Sequence, residues 1–128
     1  MRVSRNAIVT TALSLLAIAA TTAFAFRRIA PIPALSATEA RALVTAQWGG
    51  CSGSDCTSLT VDVTTDRLSP TVTATYTGYQ DDSVRGMRIA ARAKLDPTTG
   101  TWSLEEISRE WSCQPDRGHR EWSIELCD

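Results

Sequence analysis

The chain has 128 residues but only one lysine, one histidine, two phenylalanines and two tyrosines. It has no glycine-rich phosphate loop and no G-x-S-x-G turn. Those gaps exclude the common nucleotide-binding loops and the esterase-type nucleophile elbow. Charge of either sign is also scarce in excess: 13 basic residues against 14 acidic ones give −1. A chain so balanced has no electrostatic footprint for nucleic acid. The length fits one domain.

The longest feature present is apolar. Met1 to Asn6 carries Arg2 and Arg5, and the twenty residues from Ala7 to Phe26 carry no charge. Arg27 and Arg28 close the run. As a helix at ~1.5 Å per residue it would reach about 30 Å, a bilayer's hydrocarbon thickness. Two readings stay open. The run is a signal anchor that keeps the chain in the membrane, or a secretory signal cut after Ala23-Phe24-Ala25, an A-x-A pattern. The segment from residue 1 to 28 is thus set apart as anchor or signal. Both readings put the remainder outside the cytoplasm, single-pass in the first case and secreted in the second. Arginines flank both ends, so the charge rule leaves orientation open.

Cysteine usage agrees with export. All four cysteines, Cys51, Cys56, Cys113 and Cys127, lie downstream of the run. An even count in a small exported domain reads as two disulfides. Turn residues between the members favour Cys51–Cys56 and Cys113–Cys127. The first pair encloses Ser52-Gly53-Ser54-Asp55, and the second encloses Pro115, Asp116 and Gly118. Crossed pairings remain open on spacing alone. Twelve arginines to one lysine suggest GC-rich bacterial coding. From Ile29 onward, nine basic residues face fourteen acidic ones, a balance of −5. Such a domain is not drawn to anionic lipid or nucleic acid.

Residues 29–35 hold Pro31 and Pro33 and read as a stiff connector. The span 36–128 reads as an α+β domain. Ser36-Ala37-Thr38-Glu39 has the S-x-x-E capping-box form. Ala40, Leu43, Val44 and then Gln47 or Trp48 follow at helical spacing, and Gly49-Gly50 stops the run. A helix is expected over Ala37 to Trp48. Leu59, Val61 and Val63 alternate with polar residues and predict a strand. A second is expected over Thr71 to Gln80, with Val72, Ala74 and Tyr76 on one face and threonines on the other. A third places Met87, Ile89, Ala91, Ala93 and Leu95 opposite Arg88, Ala90, Arg92 and Lys94. Asp96-Pro97-Thr98-Thr99-Gly100 predicts a hairpin loop. Trp102 and Leu104 open a fourth strand whose phase slips at Glu105-Glu106, as at a bulge; a short helix is the alternative. One helix on a four-stranded antiparallel meander results, an outline that resembles the cystatin-like and NTF2-like architectures. With no phenylalanine after Phe26, Trp102 and Trp111 are expected to supply core volume, with Trp48 and Trp122 as further candidates.

The ending Trp111 to Cys127 reads W-x-C-x-x-x-R-G-H-x-x-W-S-x-x-x-C. It resembles the endings of small exported bacterial domains of uncharacterised function. The resemblance implies export and a disulfide, and no activity.

Candidate chemistries are few. Zinc held by Cys113, His119 and Cys127 needs thiolates, which an oxidising compartment removes. A Cys–His nucleophile fails on the same ground. Asp81-Asp82 and Glu105-Glu106 are adjacent pairs, and neighbours on a strand face opposite ways. No catalytic group, metal or cofactor is expected. Arg117, His119 and Arg120 form the candidate ligand site, an anion-binding cluster, against the alternative of a solvated loop. Two functions follow. One is a non-catalytic extracytoplasmic module, tethered to the membrane through residues 7–26, that binds an envelope protein or small ligand. The other is an accessory subunit of a membrane complex, with Ala12, Ser14, Ala17, Ala19 and Ala20 packing on partner helices.

Overall fold

The capping-box signal is realised at the start of the only helix among the described residues. The computed structural model describes residues 31–52 and 55–128. The apolar run Ala7–Phe26, its cleavage motif and Arg27-Arg28 lie outside them, as do Gly53 and Ser54 of the first cysteine loop. Among the described residues no helix is long and apolar enough to cross a membrane.

Helix α1 spans Ala37–Trp48. Ser36 Oγ accepts from the Glu39 amide at 3.2 Å, and the Ser36 amide donates to the Glu39 carboxylate at 3.1 Å. Each bond satisfies an amide that helix geometry leaves free. At the other end Gly49 has φ 88° and its amide donates to the Thr45 carbonyl at 3.0 Å. That left-handed φ suits glycine and ends the helix there.

Four strands follow: β1 Ser58–Val63, β2 Thr71–Thr77, β3 Val84–Leu95 and β4 Trp102–Cys113. They form one antiparallel sheet in sequence order. The expected α+β fold of one helix on a four-stranded meander is therefore the observed one. Strand β2 stops three residues earlier than its threonine alternation predicts. Gly78 turns with φ 72°, and Thr57 Oγ1 donates to its carbonyl at 3.0 Å. Strand β3 begins at Val84, after the turn at Asp81-Asp82-Ser83, where Asp81 accepts from the Ser83 and Val84 amides. The phase slip in β4 is a bulge, not a helix. Ala90 pairs Ser108 while Ala91 pairs Glu106, so Ile107 is the extra residue.

Helix α1 lies against both edge strands, β1 and β4, so the sheet curves around it. Between them sit Ala40, Val44, Leu59, Val72, Ala74, Tyr76, Ile89, Ala91, Ala93 and Leu104. Tyr76 spends its hydroxyl on the Gly49 carbonyl at 2.9 Å, which ties the sheet to the helix end. The core is small-residue rich, and the tryptophans do not fill it as the sequence led us to expect. Trp48 and Trp102 flank the core half-buried; Trp111 lies near the end of β4 and Trp122 in the segment after it. On the central strands the core positions are held instead by Val72, Ala74, Tyr76, Ile89, Ala91 and Ala93.

The helix covers one face of the sheet. The register puts Thr60, Thr75, Arg88 and Glu110 in one row of the opposite face, and Asp62, Thr73, Ala90 and Ser108 in the next. Among the described residues, no element covers these two rows except where Trp122 reaches Arg88.

Candidate functional site

Strand β4 ends at Cys113, and the chain then doubles back along β4's outer edge. Gln114, Pro115, Asp116 and Arg117 make the turn, closed by the Arg117 amide on the Gln114 carbonyl at 3.1 Å. Asp116 adopts φ 65° and Gly118 φ 119°. Aspartate tolerates the left-handed region better than most side chains. At Gly118 a Cβ would sit 3.3 Å from Cys113 Sγ, so both conformation and space favour glycine.

The returning tail is held in four ways. Cys113 is bonded to Cys127, and Cys51 to Cys56, the pairing that the turn residues favour. Trp111 and Ser123 exchange two backbone hydrogen bonds of 2.7 and 3.0 Å, a single antiparallel bridge. Buried Ser112 donates its hydroxyl to the Arg120 carbonyl at 2.7 Å. Trp122 folds over Gly86 on the face away from α1. A Cβ on Gly86 would meet the indole at 2.9 Å and the Tyr76 carbonyl at 3.0 Å. The Arg88 guanidinium stacks on Trp122 at 4.9 Å from the ring centroid. It is also bound to Glu110, through Nε at 2.8 Å and Nη2 at 2.7 Å. A planar, forked cation serves both contacts at once.

The structure does not gather Arg117, His119 and Arg120 around one point. Arg117 reaches Asp82 across the surface at 3.4 Å. Arg120 is exposed, and the bonds made there go to its carbonyl, from Ser112 and from Arg85. His119 turns inward. Its Nδ1 lies 2.8 Å from the Glu121 carbonyl and its Nε2 lies 2.9 Å from the Glu125 carbonyl. Carbonyls only accept, so the two contacts are both hydrogen bonds only in the imidazolium, whose two nitrogens both donate. The Glu121 and then the Glu125 carbonyl push the His119 pKa up from 6.5; partial burial opposes them, and the carboxylates of Glu125 and Asp128 add a smaller push.

A raised folded pKa means that His119 stabilises the tail fully below its unfolded value and loses that effect as pH rises through the folded value. As the only histidine, it gives one imidazole signal. Its NMR titration midpoint should lie above 6.5. The melting advantage of the parent chain over His119→Gln should shrink with rising pH. A midpoint at or below the ordinary value would contradict the two-carbonyl geometry.

The atoms of Cys113, His119 and Cys127 that would serve as ligands lie within 4.8 Å of one another. With the two sulfurs bonded together, neither is a thiolate, and the group offers a metal no sulfur ligand. Asp81-Asp82 lie in the turn before β3, while Glu105-Glu106 split as strand geometry demands. Glu105 pairs with Lys94, and Glu106 accepts from Arg109 at 2.8 Å. Hydrogen bonding lowers the pKa of four carboxyls: Glu39 through the Ser36 hydroxyl, Asp81 through the Val84 and Ser83 amides, Asp96 through the Thr98 and Thr99 amides, and Glu105 through Lys94. Each is a local cap or pair, not half of an acid/base couple. Burial raises the pKa of Tyr76 and Tyr79.

Sequence reading missed the Arg88–Trp122 stack, because the two residues are joined only through tail docking. It also read the alternating threonines as strand formers and not as one broad hydroxyl surface. Their strict alternation from Thr71 to Thr77 was the available signal. Compared with protein-family models, curated proteins and solved structures, the chain matches none at a significant level.

Proposed function

We propose that this chain is a non-catalytic extracytoplasmic binding module, tethered by the run Ala7–Phe26, that engages an envelope protein through the sheet face opposite α1. One observation carries the reading: that face has no second layer among the described residues. Its Thr60, Thr73, Thr75 and Ser108 present hydroxyls, and four of its charges pair as Arg88–Glu110 and Lys94–Glu105. Such a surface stays soluble when bare and suits a polar, hydrated interface. Trp122 and Arg88 at one end are the residue types that anchor interfaces most often. The two disulfides favour an oxidising, extracytoplasmic setting. The non-catalytic part rests on the shifted carboxyls, each of which is tied into a local cap or ion pair.

The test is photocrosslinking of the full chain in its native membrane, with the probe at Thr75, at Arg92 or at exposed Gln47 on α1. Thr75 and Arg92 should yield one discrete protein adduct, and Gln47 none. Thr75→Glu should weaken capture at Arg92 about tenfold, the effect of roughly 1.4 kcal/mol at an interface. Equal adducts from Gln47 would sink the sheet-face reading. Adducts only from probes between Ala12 and Ala20 would favour the accessory-subunit alternative.

A further inference from the structure

The two disulfides differ in what surrounds them. Cys51–Cys56 has no histidine near it, since the chain's one imidazole is His119. Cys113–Cys127 has that imidazole 3.6 Å from Cys113 Sγ. The two sulfurs also differ in access. Cys113 is fully buried at the end of β4, and Cys127 is partly exposed.

We propose that Cys113–Cys127 is a thiol–disulfide exchange site, in which a small thiol attacks Cys127 Sγ as its thiolate and His119 holds Cys113 as the departing thiolate. Exchange requires approach along the S–S axis from the side of the attacked sulfur. Burial closes the Cys113 side and leaves Cys127. The incoming thiolate contributes the electron pair of the new bond to Cys127 Sγ. The Cys127–Cys113 bond breaks, and its pair leaves on Cys113 Sγ. No proton needs to move, and the products are a mixed disulfide at Cys127 and a Cys113 thiolate.

The leaving group decides the rate advantage, because a thiol of lower pKa departs faster. A thiolate beside an imidazolium is stabilised, and its pKa falls below the ordinary ~8.5. Here the Nε2–H already points toward the Glu125 carbonyl at 2.9 Å and Cys113 Sγ at 3.6 Å. A bridged sulfur is a weak acceptor, so the carbonyl holds the hydrogen. Once the sulfur carries a full charge it becomes the stronger acceptor. The groups that keep the ring protonated are the Glu121 and Glu125 carbonyls with the Glu125 and Asp128 carboxylates. Gly118, whose Cβ would stand 3.3 Å from Cys113 Sγ, leaves the sulfur room to relax.

The experiment treats the full chain in detergent with glutathione, quenches in acid, alkylates and maps peptides by mass spectrometry. Glutathione should appear on Cys127 and not on Cys113. Rates for Cys113–Cys127, corrected to thiolate concentration, should fall as pH rises above the His119 titration. His119→Gln should slow this bridge about three- to tenfold and remove that pH dependence, while Cys51–Cys56 is unaffected. Since that variant also loosens the tail, a second measurement follows alkylation of Cys113 against pH in Cys127→Ala. Its midpoint should lie below ~8.5 and rise when His119→Gln is added. Glutathione on Cys113, or a Cys113 midpoint indifferent to His119, would overturn the proposal.

Discussion

Replacing Cys113 and Cys127 together by alanine should lower the stability of the domain by about 3 kcal/mol. The bridge closes a loop with sequence separation 14, and the unfolded chain regains that loop's entropy when it is cut. Apolar burial adds little at the chain end. Ile124 and Leu126, its two aliphatic residues, are 76% and 74% exposed, so burial does not hold them. Alanine is the cleaner replacement, because a hydroxyl at the fully buried Cys113 position would add a desolvation cost of its own. For a domain of this size 3 kcal/mol corresponds to a melting temperature lower by roughly 12–20 °C. The same change at Cys51 and Cys56, with sequence separation 5, should cost only about 2 kcal/mol. Trypsin should then release the chain beyond Arg117 or Arg120, which the bridge retains in the parent. A melting shift of a degree or two would show that Trp122 and the Trp111–Ser123 bridge hold the tail without covalent help.

Local signals carried most of the fold. Ser36 and Glu39 marked the helix start, and Gly49-Gly50 marked its end. The alternation of Leu59, Val61 and Val63, and of Val72, Ala74 and Tyr76, marked which strand face lies under the helix. Asp96-Pro97-Thr98-Thr99-Gly100 marked the β3–β4 hairpin, where Asp96 accepts from the Thr98 amide at 2.7 Å. Each of these is short-range chemistry that a sequence displays directly. What the sequence did not display depends on distant backbone. His119 looked like part of an exposed cationic loop, yet its partners are carbonyls of Glu121 and Glu125, and a carbonyl leaves no mark on residue type. The tail's register on β4 is likewise a matter of backbone bonds between Trp111 and Ser123. The tryptophans were assigned to the core on side-chain volume alone; on the central strands Val72, Ala74, Tyr76, Ile89, Ala91 and Ala93 hold those positions.

Ile89 is the side chain whose loss should be felt most, since it is the largest that is wholly enclosed. Ile89 is fully buried near the middle of β3, opposite Ala74 on β2 and Arg109 on β4. It heads the largest side chains that are wholly enclosed, ahead of Val44 and Val72. Truncating a buried isoleucine to alanine costs about 2–5 kcal/mol, and the position within that range depends on how far the surroundings collapse into the space. Here they cannot collapse far. Ala74 and Ala91 are methyl groups fixed to the backbone of the sheet, and the flexible side chains beside Ile89 on that face are Met87 and Arg109. The loss from Ile89→Ala should therefore fall in the upper half of the range, near 4 kcal/mol. Against a total of about 5–15 kcal/mol, that leaves a domain close to unfolding at physiological temperature. Ile89→Val removes a single methyl group and should cost only about 0.5–1.5 kcal/mol, which keeps the comparison measurable by urea unfolding. The two variants should differ in midpoint and share the parent's slope. A loss below about 2 kcal/mol for Ile89→Ala would mean that the helix settles onto the sheet to fill the gap.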